Sequence, residues 1–364
     1  MATIPELGDV GQSMWLDSID RRMLVGEGLK SFIRMGISGV TSNPTIFQQA
    51  IAASAAYDDA ILELSRTNPD MDIETIYEWL TVRDVQMAAD LLRPVHEESG
   101  GRDGYVSLEV SPRLAHDTDA TLLAARHLWQ VVNRPNLMIK VPATVAGLPV
   151  VEQLIAEGIN VNATLLFSVE RYVAVAEAYL RGLSNCAKID SVASVASFFV
   201  SRIDSKVDKI LETIGKPAAL ALRGRIAIAL ARLAYDHYKA VMPFRLAEIS
   251  GKPRPQRLLW ASTGTKNPAY PDILYVDKLI GPDTVTTVPQ ETLEAFVDHG
   301  TIHSSLEGKL DRARLDLETL KGLGVSIETI VGELEEEGVA KFEASYVAAL
   351  ATLEEKRLFM KQSR

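Results

Sequence analysis

The chain has 364 residues, of which 47% are hydrophobic and 24% are charged. This length suggests two or three domains at about 150 residues each, although a barrel often runs longer as one domain. A single cysteine, Cys186, excludes a disulfide framework and a cysteine-rich zinc module and indicates a reducing compartment. The net charge of −10, without a long basic run, argues against non-specific nucleic-acid binding. A phosphorylated ligand is still compatible with this charge, because one or two local cations are enough to hold it.

The N-terminal segment, residues 1–23, lacks the basic start and the apolar core of a signal peptide. No run reaches the roughly eighteen uninterrupted apolar residues that indicate a transmembrane helix. We therefore expect a soluble cytoplasmic protein that has no membrane partner.

Eight short apolar runs bounded by turn residues follow one another along the chain. They span residues 13–16, 37–40, 105–108, 137–139, 159–161, 192–195, 258–260 and 285–288. Amphipathic segments lie between most of them, such as 148–157, which Gly158 closes, and a helix that Ser168 caps and that runs to about Arg181. Alternating strands and helices predict parallel βαβ units and, with eight of them, a closed (β/α)₈ barrel of about 250 residues. A doubly wound open sheet is the alternative, but the Gly-x-Gly-x-x-Gly turn of a dinucleotide site is absent after the first run.

Two stretches exceed what a barrel needs, so we predict one barrel domain over 1–364 with a helical insertion at 44–104 and a helical extension at 304–364. The extension contains the charged run 333–337, which is most simply a solvated helix face and less simply an interaction tail. We expect Asp204, Asp208, Lys209 and Glu212 to form the exposed face of the helix after the sixth strand.

Polar residues gather where the apolar runs end, which in a barrel is the face that carries catalytic groups. They are Asp17, Thr41, Ser42, Asn43, Glu109, Lys140, Asn162, Thr164, Ser197, Phe199, Arg202, Ser262, Thr265 and Lys266. Any one of them could simply be solvated or could cap a helix. A lysine, two carboxylates and two amides at the ends of different strands favour imine chemistry over hydride transfer or metal hydrolysis.

The strand alternation bears on Lys140 in particular. If Ile139 faces the helices, then Lys140 points into the barrel mouth, where desolvation favours the neutral amine that can attack a carbonyl. The alternatives are that Lys140 extends to solvent and that Asp17 caps a segment starting at Ser18. Glu109 is harder to dismiss, because Leu108 and Val110 flank it in a strand-like run.

The six histidines show no metal-ligand spacing. His299 and His303, four residues apart, could share a helix face, but no carboxylate third ligand is obvious. We predict no metal and no cofactor, and pyridoxal phosphate on Lys140 is a poorer alternative.

Six segments together resemble the transaldolase family, most of all its longer bacterial form. They are residues 39–47 (GVTSNPTIF), 106–112 (VSLEVSP), 138–144 (MIKVPAT), 158–168 (GINVNATLLFS), 196–204 (ASFFVSRID) and 260–268 (WASTGTKNP). The resemblance implies a metal-free class I enzyme of the pentose phosphate pathway. It would transfer a dihydroxyacetone unit from sedoheptulose 7-phosphate to glyceraldehyde 3-phosphate, or in the reverse direction.

The resemblance also implies catalytic roles at the matching positions. Lys140 would be the Schiff-base nucleophile, and Asp17 would exchange a proton with the C4 hydroxyl. Glu109 and Thr164 would position a water that shuttles protons between carbinolamine and imine.

Substrate contacts follow from the same resemblance. Asn43 and Asn162 would bind hydroxyls of the dihydroxyacetone unit, with Thr41 on the same strand face as Asn43. Ser197 and Arg202 would bind the phosphate, the arginine through two parallel donors.

The chain departs from shorter family members after the seventh strand, where they carry Ser-Phe-Arg-Asn. Here Lys266 would supply the second phosphate cation, with Ser262 assisting, although a lysine lacks the planar fork of an arginine. A fructose 6-phosphate aldolase of the same superfamily is an alternative. Phe199 favours transfer, because it lacks the hydroxyl with which a tyrosine would help to protonate the enamine. A non-catalytic sugar-phosphate-binding barrel is a further alternative, and the sequence leaves the oligomeric state open, a homo-oligomer included.

Overall fold

The computed structural model describes residues 3–362 and contains a closed barrel of eight parallel strands, paired in chain order. The strands are β1 Gln12–Leu16, β2 Gly39–Val40, β3 Tyr105–Glu109, β4 Leu137–Pro142, β5 Val161–Leu166, β6 Ser194–Phe199, β7 Arg257–Ala261 and β8 Thr284–Val288. The predicted (β/α)₈ barrel is therefore confirmed, and each predicted apolar run overlaps one strand.

Helices surround the barrel and extend its two ends. They are α1 Ile4–Asp9, α2 Arg21–Leu24, α3 Gly28–Met35, α4 Pro44–Ala53, α5 Asp58–Thr67, α6 Ile73–Glu98, α7 Thr118–Val132, α8 Gly147–Ala156, α9 Val169–Ser184, α10 Ser201–Ile214, α11 Pro217–Leu220, α12 Ile226–Ala247, α13 Leu274–Lys278, α14 Gln290–His299, α15 Leu310–Gly322 and α16 Ile327–Gln362. Short 3₁₀ helices span Ala55–Tyr57 and Pro112–Leu114. Within the described residues, no helix is both long enough and apolar enough to cross a membrane.

The fifth and sixth strands run further than their apolar runs predict. β5 continues through Asn162 and Thr164, which pair in register with Lys140 and Pro142 of β4. The strands continue through polar residues, because these side chains form hydrogen bonds with one another inside the barrel and need no contact with water. Ser197 of β6 donates to Asn162, for example.

Interior side chains close the amino-terminal end of the barrel. Arg257 lies 3.0 Å from Asp103, which also accepts hydrogen bonds from Ser13 and Trp15. A Cβ on Gly39 would come within 2.5 Å of the Trp15 ring, so only glycine fits beside this indole. This packing fills one end of the barrel and leaves the other for a site.

Local helix signals are confirmed where side chains cap backbone groups. Ser168 accepts from the Arg171 N–H and starts α9, and Gly158 follows α8 with φ of +76°. Asp17 does not cap a helix, since Asp20 accepts from the Arg22 N–H and starts α2.

The helices inserted between β2 and β3 pack against the C-terminal helix α16. Helices α4, α5 and α6 lie between β2 and β3, and α16 contacts all three. Buried side chains, including Tyr57, Ile61 and Leu353, form a small second core between them. Lys356 adds an ion pair with Asp58 at 2.7 Å. The division into a barrel with an insertion at 44–104 and an extension at 304–364 remains a prediction, and residues 363 and 364 lie outside the described part of the chain.

The expectation of a free charged face on α16 is only partly right. Glu333 and Glu337 are more than half exposed, but both pair with Lys206 of α10, at 2.6 and 2.5 Å. Glu335 is largely buried and pairs with Arg171 of α9 at 2.9 Å. The run therefore fastens α16 to the helices around the barrel mouth.

Two expectations about surface residues are wrong. Asp204 and Asp208 are buried rather than exposed, because α10 turns them toward backbone N–H groups and tyrosines that satisfy them. Asp204 accepts from the Ala227 N–H and the Tyr275 hydroxyl. His299 and His303 do not share a helix face, because α14 ends at His299.

Candidate active site

A cavity opens at the carboxyl ends of the strands, where the polar residues of the sequence converge. It is lined by Asp17, Thr41, Asn43, Lys140, Thr164, Ser197, Phe199, Arg202, Ala261, Ser262, Thr287 and Phe342. Most of the predicted site residues are in this set. Glu109 lines an adjacent cavity that also contacts Asn43, Asn162 is fully buried, and Lys266 lines a separate cavity beside α10.

Lys140 lies in the middle of the site at the end of β4. Its side chain is 5% exposed, and its Nζ donates to the Ser42 carbonyl oxygen at 3.0 Å. The neighbouring strand brings Glu109 Oε2 to 3.1 Å, because Glu109 and Lys140 are in register. The amine is thus held in place by one neutral acceptor and one carboxylate, away from bulk water.

Glu109 has a carboxylate that is buried and incompletely paired. Its contact with Lys140 is an ion pair without hydrogen-bond alignment, and neither carboxylate oxygen has a hydrogen-bond partner among the described residues. Burial raises the pKa of Glu109, and the positive charge of Lys140 opposes this shift. A carboxyl group of this kind can exchange a proton with a nearby water or amine.

Asp17 extends from the end of β1 into the same cavity. Burial raises its pKa, while the charge of Lys140 and a 2.7 Å hydrogen bond from Thr41 lower it. The Thr41 hydroxyl also lies 2.7 Å from the Thr287 hydroxyl of β8. This chain of hydroxyl groups holds the carboxylate toward the cavity.

A bulge in β5 shapes the wall opposite Asp17. The register with β6 shifts between Ala163 and Leu166, and Leu165 has φ of 62°. Such bulges re-aim side chains near binding sites. Here the Thr164 hydroxyl is buried without a hydrogen-bond partner among the described residues, so it is available to a ligand or a water.

The predicted amides differ in how accessible they are. Asn162 is fully buried, donates to the Ser107 hydroxyl at 3.0 Å and accepts from Ser197 at 2.7 Å. Asn43 caps α4 by accepting from the Ile46 N–H at 3.0 Å. Its amide nitrogen makes no hydrogen bond to the described residues, which leaves a donor on the cavity wall.

Arg202, in the first turn of α10, supplies positive charge at the mouth. Its guanidinium carbon lies 5.1 Å from the Phe199 ring centre and 5.5 Å from that of Phe342. Among the described residues it has neither a hydrogen bond nor an ion pair. Burial lowers its pKa, and the carboxylates of Glu109 and Asp17 oppose that shift. An arginine that lies between two aromatic rings and has its donors free is suited to a phosphate.

The loop after β7 carries the other predicted phosphate contacts. Ser262 has φ of 56°, a conformation rare outside glycine, and its hydroxyl lies 2.9 Å from that of Ser201. Lys266 is exposed and unpaired among the described residues. Its charge still reaches Asp17, where it lowers the pKa of that carboxyl.

Sequence reasoning missed three parts of the site. The Ser42 carbonyl holds Lys140, Thr287 supports Thr41, and Phe342 of α16 covers the mouth with its ring centre 5.6 Å from Lys140 Nζ. A backbone acceptor has no sequence signature. Phe342 lies 202 positions after Lys140, in a tail whose docking the sequence does not reveal.

The fold and the cavity place the chain in the class of (β/α)₈-barrel enzymes with a buried lysine at the carboxyl ends of the strands. The sequence pattern of the family described as Transaldolase/Fructose-6-phosphate aldolase matches residues 14–353. Similar proteins include Transaldolase 1 of Streptomyces coelicolor, 48% identical over 96% of this chain and 93% of that protein. Another is Transaldolase of Thermobifida fusca, 48% identical over 94% of this chain and 95% of that protein. A third is Transaldolase of Thiobacillus denitrificans, 46% identical over 96% of this chain and 98% of that protein. The chain belongs to the transaldolase/fructose-6-phosphate aldolase family.

Proposed function

We propose that the chain is a transaldolase that uses Lys140 to form a Schiff base with a ketose phosphate. One observation carries the proposal, namely that Lys140 Nζ is buried 3.1 Å from Glu109 in the cavity that also holds Asp17 and the unpaired Arg202. The reaction transfers a dihydroxyacetone unit from sedoheptulose 7-phosphate to glyceraldehyde 3-phosphate. The products are erythrose 4-phosphate and fructose 6-phosphate.

The first step joins Lys140 to the C2 carbonyl of the donor. The Lys140 ammonium first passes a proton to Glu109, 3.1 Å away, and the neutral amine then attacks C2. A water positioned by Glu109 and Thr164 moves one amine proton to the carbinolamine oxygen. That oxygen leaves as water after a second proton arrives from Glu109, which the raised pKa of this carboxyl favours. The protonated imine that results can accept an electron pair.

The second step breaks the bond between C3 and C4. Asp17 takes the proton of the C4 hydroxyl, and the C3–C4 electron pair moves to the imine nitrogen. An enamine stays on Lys140 and an aldehyde leaves. Asp17 then returns the proton to the oxygen of the acceptor aldehyde as the new carbon–carbon bond forms. Asn43 orients the hydroxyls of the three-carbon unit, with Asn162 behind it held by Ser197.

Arg202 binds the substrate phosphate together with Ser262, whose hydroxyl lies 2.9 Å from that of the adjacent Ser201, and with Lys266 from the same loop after β7. The free fork of the guanidinium accounts for the use of phosphorylated sugars by an acidic chain. The Ser197 hydroxyl donates to Asn162, so Ser197 binds the phosphate only if it gives up this hydrogen bond and donates to the ligand instead.

Phe199 favours transfer over release of free dihydroxyacetone. Its ring lies on the cavity wall and packs 5.4 Å from that of Phe167. A phenyl ring donates no proton, so the enamine persists until an acceptor aldehyde arrives. A fructose 6-phosphate aldolase is the second candidate, since the matched family includes both activities.

The test is an assay with fructose 6-phosphate and erythrose 4-phosphate, in which sedoheptulose 7-phosphate and free dihydroxyacetone are both measured. We expect sedoheptulose 7-phosphate, little free dihydroxyacetone, and neither product from Lys140→Met. Free dihydroxyacetone as the main product would assign the aldolase activity. Thermal stabilisation by fructose 6-phosphate without either product would assign a binding role only. We place this activity in the cytoplasm, where the pentose phosphate pathway operates, and size-exclusion chromatography with light scattering tests for a homo-oligomer.

A further inference from the structure

Three cations from separate parts of the chain converge at the mouth of the cavity. Arg202 comes from α10, Lys266 from the loop after β7, and Lys341 from α16. Within residues 3–362 none of the three forms an ion pair or a hydrogen bond with a carboxylate. In a chain with a net charge of −10, a group of cations without a direct ion-pair partner marks a place where an anion binds.

Helix α16 lies directly against the guanidinium of Arg202. A Cβ added to Gly338 would lie 3.5 Å from Arg202 Nη1 and 3.1 Å from Leu165 Cδ2. The Phe342 ring centre lies 5.5 Å from the guanidinium carbon. Gly338 and Phe342 are four residues apart and therefore share a helix face. Lys341 follows Gly338 by three residues, so its backbone lies at the edge of this helix face.

Helix spacing directs Lys341 toward the mouth, because it lies one turn after Glu337, which pairs with Lys206 of α10, and three residues after Gly338, which lies against Arg202. Partial burial lowers the pKa of Lys341, and the positive charges of Arg202 and Lys266 lower it further. Glu337 of α16 acts on Arg202 only through its charge, because its carboxylate is paired directly with Lys206 at 2.5 Å. Lys206 therefore removes a competing anion and leaves Arg202 and Lys341 open.

We propose that Lys341 is a phosphate ligand, so that α16 supplies the third cation of the phosphate site together with Arg202 and Lys266. The identity of the ligand as a sugar phosphate rests on the proposed function. The position of α16 follows from its packing and ion pairs and is independent of the proposed function. On this view the C-terminal helix is part of the substrate site, with Phe342 as its apolar cover and Lys341 as its charge.

The test compares Lys341→Met with Lys341→Arg and with Lys321→Met, a control at an exposed lysine of α15. Each variant is assayed with fructose 6-phosphate or with unphosphorylated fructose as donor and with D-glyceraldehyde as acceptor. We expect Lys341→Met to raise KM for fructose 6-phosphate by about ten- to hundredfold, the effect of one charge-assisted contact, with kcat and the activity on fructose unchanged. Lys341→Arg should restore KM, and Lys321→Met should match the unmodified chain. An unchanged KM, or an equal loss with both donors, would overturn the proposal.

A binding experiment separates this proposal from the proposed function. Inorganic phosphate raises the Tm of a protein that binds it in the folded state, without any turnover. We expect a smaller rise in Lys341→Met than in the unmodified chain and in Lys321→Met. That result would support the phosphate site even if no transaldolase activity were found. An equal rise in all three proteins, or none in any, would refute the role of Lys341 whatever the activity.

Discussion

Replacing Arg202 by methionine separates substrate binding from stability more cleanly than any other change in the cavity. The substitution keeps an unbranched side chain between the rings of Phe199 and Phe342 and removes the guanidinium. No hydrogen bond or ion pair within the described residues is lost. The folded state loses only the two cation–π contacts, about 0.5–1 kcal/mol each, so the free energy of unfolding should fall by less than about 2 kcal/mol.

The cost to substrate binding is larger. If the fork of Arg202 donates two charge-assisted hydrogen bonds to the phosphate, each contributes about 1.5–3 kcal/mol. A combined loss of about 3–6 kcal/mol corresponds to a fall of roughly 100- to 20,000-fold in kcat/KM for fructose 6-phosphate. Unphosphorylated fructose gains nothing from the guanidinium, so its low kcat/KM should stay the same.

The assay measures kcat/KM for both donors, together with urea unfolding of each protein. Arg83→Met is the matched control, because Arg83 is an exposed arginine of α6. The reasoning fails if Arg202→Met lowers kcat/KM by the same factor for both donors. It also fails if the variant loses more than about 3 kcal/mol of stability, since the arginine would then be a structural residue.

Three other changes test the electrostatics and the packing of the same region. Asp17 must be ionised to take the C4 proton and burial raises its pKa, so kcat should fall with acid at a pH above the usual range for a carboxylate, and Asp17→Asn should be inactive at every pH. Burial raises the pKa of Asp204 to about 7, so the native state keeps a proton that the unfolded chain releases near pH 4. The contribution of Asp204 to the free energy of unfolding is therefore fully present below about pH 4 and falls by up to about 1.4 kcal/mol per pH unit as the pH rises toward 7. In urea titrations, Asp204→Asn should abolish this slope. Gly338→Ala should raise KM for fructose 6-phosphate, because its Cβ meets Leu165 at 3.1 Å, whereas Gly332→Ala on the same helix has open space and should add about 0.5–1 kcal/mol of stability.

Each of these expectations has a result that contradicts it. A kcat profile without an acid limb would remove Asp17 as the base. Equal pH slopes for Asp204→Asn and the unmodified chain would show that Asp204 titrates normally. Identical kinetics for the two glycine variants would show that a methyl group at position 338 does not shift α16 against Leu165.

The barrel could be predicted from the sequence because its strands are short apolar runs separated by clear turn and helix signals. Side-chain alternation also predicted that Lys140 points into the barrel mouth if Ile139 faces the helices, since residues two apart in a strand share a face. Thr41 and Asn43 reach the same cavity although β2 ends at Val40. Their common cavity follows from the rule that parallel strands present their carboxyl ends together.

The remaining features depend on contacts between distant segments. The ends of β5 and β6 were missed because Asn162 and Ser197 satisfy each other inside the barrel, so polarity does not mark the strand end. Asp204 was assigned to the surface because charge usually indicates exposure, but Tyr275, 71 residues later, provides its partner. The place of Phe342 over Lys140 depends on ion pairs between α16 and the barrel helices. The charge pattern of the sequence does not reveal which basic residue pairs with which acidic residue.

The most direct test of the account is to trap the Schiff base. The protein is incubated with fructose 6-phosphate and reduced with borohydride, and the modified lysine is located by peptide mass spectrometry. Lys140→Met and Lys252→Met, an exposed lysine remote from the cavity, are treated in parallel. We predict a reduced three-carbon adduct on Lys140 in the unmodified chain and in Lys252→Met, and no adduct in Lys140→Met. An adduct on any other lysine, or turnover retained by Lys140→Met, would contradict the assignment of Lys140 as the nucleophile.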